Sequence, residues 1–137
     1  MHEWALADAV IQTVIDVAQR KGLKKITLIK MSLGELQDVE QEFFNSALTE
    51  LMKTHGTLFA ETKMDIRVTE ALFKCRACGH KWKLKDTSKT LDEEVKESIH
   101  FIPELAHSFI RCPVCKSPDF DIVEGRGVTI KSISGEK

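Results

Sequence analysis

Two Cys-x2-Cys steps constrain this chain more than any other feature. Cys75-Arg76-Ala77-Cys78-Gly79 is matched downstream by Cys112-Pro113-Val114-Cys115-Lys116, and the 137 residues hold only these four cysteines. A two-residue spacer lets both thiolates of a tight turn face one ion. Two such turns supply the tetrahedral sulfur set that Zn²⁺ takes in structural sites. Gly79 gives the first turn a permissive backbone, and Pro113 stiffens the second. Thirty-three residues separate Cys78 from Cys112. That exceeds the roughly 15–20 of a compact ribbon, but the cost of closing a loop grows only logarithmically with its length. Disulfides, free buried thiols or iron on the same sulfurs are the alternatives. The start of the chain, Met1-His2-Glu3-Trp4, carries an acid and no basic cluster, so it does not read as a signal peptide. No stretch approaches the ~18 apolar residues of a membrane span. A cytoplasmic location is expected, where thiols stay reduced and paired cysteines more often bind metal. Four thiolates leave no open coordination position, so catalysis at this metal is not expected.

The charges divide unevenly. Residues 1–73 carry 8 basic and 11 acidic side chains, residues 74–118 carry 9 and 6, and residues 119–137 carry 3 and 4. All four cysteines fall in the middle, positive block. The expected organisation is therefore one domain of residues 1–73 plus 119–137, with a zinc-binding domain of residues 74–118 inserted in it.

Ala7, Val10, Ile11, Val14, Ile15 and Ala18 recur at three- and four-residue steps and predict a helix ending near Gly22. Residues 24–33 alternate as a strand, with Ile29, Met31 and Leu33 against Lys30 and Ser32. Asp38 with Gln41 makes a capping pair for a second helix carrying Phe44, Ala47, Leu48, Leu51 and Met52. Residues 64–73 read as a second strand, although Glu70 falls on its apolar side. Residues 128–133 read as a strand returning to the first block, after a bulge or close turn at Gly125 and Gly127. The fold class is α+β: two helices on a small three-stranded sheet, with an inserted four-cysteine zinc-ribbon-like domain.

His2 is notable for its place. A second-position histidine can close a planar chelate from the terminal amine, the intervening amide nitrogen and its imidazole, and tetragonal nitrogen sites suit Ni²⁺ or Cu²⁺. Glu3 can add its amide or carboxylate. An uncommitted terminal histidine and a helix-start glutamate are the plainer reading. In the segment between the cysteine pairs, His100 or His107 can contribute a further nickel donor, with His100 the preferred one.

Lys81, Lys83 and Lys85 beside Trp82 raise the rival of a zinc-ribbon nucleic-acid-binding module. The same alternation fits a strand with Trp82 and Leu84 turned inward. The chain's net charge of -1 lacks the basic excess of a nucleic-acid binder. A protein-assembly module is the other rival. No paired acid/base constellation, phosphate loop or Cys–His nucleophile pattern is present, so the chain does not read as an enzyme.

Together these features resemble a known family. Met1-His2-Glu3, a helix beginning with Ala5, Leu6 and Ala7, a strand leading into Gly34-Glu35-Leu36, and two Cys-x2-Cys steps are similar to the HypA/HybF hydrogenase nickel-incorporation proteins. The likeness spans essentially the whole chain. It implies a metallochaperone delivering Ni²⁺ to the large subunit precursor of a [NiFe] hydrogenase, acting with the HypB GTPase. It implies nickel at Met1, His2 and Glu3, and structural zinc at Cys75, Cys78, Cys112 and Cys115. A monomer or weak homodimer is expected, with no nucleic-acid or membrane partner. The segment from roughly Asp86 to Ile110 is longer than in many members, and His100 within it is where this chain can complete its nickel site differently.

Overall fold

The computed structural model describes residues 2–36, 39–87 and 91–137. The chain divides into two compact units: residues 1–32, 39–66 and 129–137 form the first, and residues 33–38 and 67–128 the second. The second thus takes in more chain than the cysteine block alone.

The first unit holds α1 (Glu3–Lys21) and α2 (Gln41–Lys53), which pack on each other. The apolar spacing of α1 explains its face: Ala7, Val10, Ile11, Val14 and Ala18 are all buried. Gly22 ends the helix, and the Leu23 N–H closes it by donating to the Ala18 carbonyl at 2.8 Å. α2 buries Phe44, Ala47 and Leu48. Its start differs from the expected one. Asp38 lies outside the described residues, Glu40 is the N-cap, and its side chain makes no capping bond. Instead the Glu40 N–H donates to Glu3 Oε1 at 3.1 Å, so a carboxylate from α1 satisfies one of the donors left open at the start of α2.

The strands β1 (Lys25–Gly34), β2 (Lys63–Thr69) and β6 (Val128–Glu136) form one sheet in the order β2-β1-β6. The C-terminal strand closes it, as the sequence predicts. Thr62 Oγ1 donates to the Ile26 carbonyl at 2.6 Å and the Glu35 N–H donates to the Thr69 carbonyl at 2.8 Å. These bonds set β2 beside β1 in the same direction, with α2 as the crossover. Ile26, Ile29 and Met31 of β1 are buried.

The second unit carries β3 (Leu72–Cys75), β4 (Lys81–Lys83), α3 (Leu84–Thr87), α4 (Glu93–Phe101), a 3-10 turn (Pro103–Leu105), α5 (Ala106–Phe109) and β5 (Phe120–Glu124). Its sheet runs β4-β3-β5, antiparallel throughout. Its core joins Phe73, Trp82, Ile99, Ile110 and Phe120 with Leu36 and Ala71. Phe73, Trp82 and Phe120 meet with ring centroids 5.1–5.6 Å apart.

Two expected strands are corrected here. The run 64–73 is not one strand but β2 and β3, which lie in different sheets. The break falls at the off-pattern acid. Glu70 is exposed and pairs with Lys83 at 3.3 Å and Lys85 at 3.6 Å. Ala71 is fully buried, and its N–H donates to Glu35 Oε2 at 2.7 Å. The run 81–85 stays extended only to Lys83. There Asp86 Oδ2 accepts the Lys83 N–H at 2.9 Å and α3 begins. Trp82 and Leu84 are nonetheless buried, and the three lysines exposed.

Candidate metal centre

Cys75 ends β3, and Cys112 follows the buried Ile110. Each opens a tight turn of the same construction. The Gly79 N–H donates to the Cys75 carbonyl at 3.0 Å, and the Lys116 N–H donates to the Cys112 carbonyl at 2.9 Å. The Cys75 and Cys112 N–H groups donate to the His80 and Ser117 carbonyls, each at 2.9 Å. The residue after each pair adopts positive φ, 78° at Gly79 and 65° at Lys116. Arg76 ties the first turn to the β5 region through Asp119 at 3.2 Å and, from Nε, Asp121 at 2.9 Å.

These turns bring the four sulfurs within 4.8 Å of one another. Cys75 Sγ lies 3.5 Å from Cys115 Sγ, and Cys78 Sγ 3.6 Å from Cys112 Sγ. Cys75 and Cys112 are buried, while Cys78 and Cys115 are exposed. The backbone amides favour thiolates at the buried pair. The Cys78 and Ala77 amides lower Cys75 despite its burial. Burial works against ionisation of Cys112, but the Cys115 and Val114 amides outweigh it and bring the thiol down to about 6. At Cys78 the His80 amide favours the thiolate, yet burial and the neighbouring sulfurs push it up to about 12. At Cys115 the Ser117 amide is likewise outweighed, by the Cys75 sulfur and burial. Crowded sulfurs cannot all ionise alone. A divalent cation removes that repulsion, and an all-sulfur tetrahedral set fits Zn²⁺. Bound there, zinc would cross-link the two turns. Among the described residues this is the one such group of three or more candidate ligands.

The residues expected to hold nickel are placed differently. Met1 lies outside the described residues. His2 is exposed at the N-cap of α1, and its carbonyl accepts the Leu6 N–H at 2.9 Å. Glu3 is only 9% exposed, with its carboxylate on the Glu40 amide. His100 is half-buried on α4 in the second unit, its Nδ1 2.8 Å from the Glu35 carbonyl oxygen. A carbonyl only accepts, so Nδ1 bears a proton, and in the neutral ring Nε2 is then the nitrogen with the lone pair. His107 instead stacks on Phe120 at 4.4 Å.

Glu35 holds His100 in place, a contact between residues 65 apart that the sequence does not announce. Its N–H, carbonyl and carboxylate engage Thr69, His100 and Ala71 respectively. The backbone is tight around it: a Cβ on Gly34 would overlap the Gly125 carbonyl, and one on Gly125 would overlap Ala71. The Gly34-Glu35-Leu36 run was the only sequence signal.

A family model described as hydrogenase/urease nickel incorporation, metallochaperone, hypA matches residues 1–135. A hydrogenase maturation factor HypA from Thermococcus onnurineus is 52% identical over 137 residues, covering 100% of this chain and 97% of that protein. Its counterpart from Pyrococcus furiosus is 50% identical with the same coverage. The solution structure of the Ni metallochaperone HypA from Helicobacter pylori matches the fold with a TM-score of 0.66 at 18% identity, covering 99% of this chain and 98% of that one. On the whole-chain match and these identities, this chain belongs to the HypA family of hydrogenase/urease nickel-incorporation metallochaperones.

Proposed function

We propose that this chain carries Ni²⁺ for hydrogenase maturation, holding it at its amino end and releasing it by ligand exchange. The family match over residues 1–135 carries this reading. The arrangement of donors supports it: the sulfur cluster suits a closed structural ion, whereas His2 is exposed. The nickel ligands are the Met1 amine, the His2 amide and imidazole, and Glu3. Glu3 offers its main-chain amide or its carboxylate, and the carboxylate would exchange its bond to the Glu40 amide for the ion. His100, with Nε2 as its donor atom, is the further ligand. Zinc sits on Cys75, Cys78, Cys112 and Cys115 and keeps the second unit folded.

Delivery requires moderate affinity and an edge from which an incoming ligand can displace one donor. Cu²⁺ would bind such nitrogens more tightly than Ni²⁺, so selectivity comes from metal supply and partners. An imidazole must be neutral to bind, so acidification weakens loading. The recipient is the large subunit precursor of a [NiFe] hydrogenase, the HypB GTPase assists, and the exchange takes place in the cytoplasm. No helix among the described residues is long and apolar enough to cross a membrane.

Calorimetric titration with Ni²⁺ tests this reading. The zinc-loaded chain takes up one nickel per chain. His2→Ala, or one residue added before Met1, weakens uptake at least tenfold, and unchanged affinity in both would remove the amino-terminal site. His100→Ala in the same assay weakens uptake if its Nε2 is a ligand.

A further inference from the structure

Gly125-Arg126-Gly127 follows β5, and two backbone bonds fix it. The Gly34 N–H donates to the Gly127 carbonyl and the Leu36 N–H to the Gly125 carbonyl, each at 2.8 Å. The arginine between those glycines is therefore carried on a placed stretch of backbone beside Gly34-Glu35-Leu36. Its side chain is ion-paired with Glu104.

Glu104 stands four residues beyond His100, and the chain between them is bonded throughout. The Ile102 N–H donates to the Ser98 carbonyl at 2.8 Å, which closes α4. The Leu105 N–H then donates to the Ile102 carbonyl at 3.0 Å in the 3-10 turn. The end of α4 is thus held to the same backbone twice. His100 bonds the Glu35 carbonyl itself, at 2.8 Å. Glu104 pairs with an arginine whose neighbours on both sides are bonded to the neighbours of Glu35. Ile99 and Pro103 are buried along this stretch. They fix its depth in the core but not the direction of the imidazole.

That direction matters for a ligand. Which ring nitrogen can bind a metal is set by the hydrogen bond the other one makes. A ligating histidine commonly gives its second N–H to a carbonyl or carboxylate, which fixes both tautomer and orientation. Glu35 supplies such a carbonyl from its main chain, so its hold depends on how closely α4 is kept against it. The side chains of Arg126 and Glu104 are 50% and 60% exposed. A pair so exposed adds little to overall stability, and its effect lies in placement.

We propose that Glu104 and Arg126 are positioning residues for His100: their ion pair keeps the end of α4 against Glu35, so that the imidazole donates its Nδ1–H to the Glu35 carbonyl and presents Nε2 as the metal-binding nitrogen. Its use in nickel binding rests on the nickel reading; the placement itself does not.

Long-range proton–nitrogen NMR of the zinc-loaded, nickel-free full chain reads the tautomer of His100, at a pH well above the ~6.5 of an ordinary imidazole. The unmodified chain carries the proton on Nδ1; a proton on Nε2 overturns the proposal. Glu104→Arg and Arg126→Glu each move His100 to a mixture of the two forms, because like charges then push the turn off the loop. Combining them restores the original signal, because the pair re-forms with its ends exchanged. Single variants that keep the Nδ1 proton overturn the proposal. So does a double variant that fails to recover while it keeps its zinc and its circular dichroism. Should a charge reversal cost any variant its zinc, Glu104→Gln decides. It removes the charge at nearly constant size, so a mixture supports the placement and an unchanged tautomer refutes it. Nickel titration separates this proposal from the reading it serves. The single variants weaken uptake about threefold, the scale of an exposed pair, and the double variant recovers it. A shifted tautomer with unchanged uptake overturns the positioning role if His100→Ala weakens uptake. If His100→Ala leaves uptake unchanged too, the placement stands and His100 drops out of the nickel ligands.

Discussion

In the first unit, helices of 19 and 13 residues pack together, and it takes in most of the ten-residue β1. In the second, no element lying wholly within it exceeds nine residues, and β3 and β4 have four and three. The first unit buries a long apolar face along α1 and another along α2, so ordinary helix and sheet packing holds it. The second has a real core around Phe73, Trp82 and Phe120, but it is built from short elements and ends in two cysteine turns that ordinary packing does not join. A metal cross-link between those turns would add to that core. Where a chain is stabilised by packing, single apolar side chains matter most. Where it is stabilised by an ion, the ligands do.

The largest effect should come from breaking the sulfur cluster. Cys112→Ala, or zinc removal by a chelator, should collapse the second unit, since structural zinc contributes about 10–16 kcal/mol in small zinc modules. Near-ultraviolet dichroism and the amide signals of β3, β4 and β5 should be lost, while the helical signal of α1 and α2 persists. Next, Phe44→Ala empties a fully buried site of α2 and should cost about 3–5 kcal/mol. It should lower the melting transition of the first unit and leave the zinc content at one per chain. Third, Gly125 sits at φ 88° against Ala71, a backbone region that costs a side chain about 1–3 kcal/mol before any overlap. Gly125→Ala should weaken the second unit selectively, read as faster amide exchange around Glu35 and His100.

The smallest effect concerns acid. Hydrogen bonding to Lys83, then its charge and that of Lys85, holds Glu70 below the usual carboxylate range. The stabilisation is present above the unfolded value, about 4.3, and is lost as pH falls through the lower folded value. The group is exposed, so the loss is slight and screened by salt. Glu70→Gln should flatten the acid limb of the second unit's stability and leave the first unit's unchanged.

Much of the architecture could be read from the residues because it rests on local period. Ala7 to Ala18 marks a helix by spacing alone, and the two Cys-x2-Cys turns announce a metal by theirs. What escaped depended on distant partners. Glu70 interrupts the apolar alternation, but nothing near it says that the chain changes sheets there; the Glu35 carboxylate that takes the Ala71 N–H lies 36 residues away. The sequence points to Asp38 as the cap of α2, whereas the Glu40 N–H at the helix start is taken by Glu3 from the start of another helix. The short helices between the cysteine pairs lack a long period. Ile99, Ala106 and Ile110 reveal themselves as core only once Trp82 and Phe120 are in place.

The separation of a nitrogen-held cargo from a sulfur-held scaffold is tested most directly by X-ray absorption at the nickel edge of the zinc-loaded chain after one equivalent of Ni²⁺. Nitrogen and oxygen scatterers alone around nickel, with the zinc edge still reporting four sulfurs, is the predicted result. Sulfur in the nickel shell would contradict it.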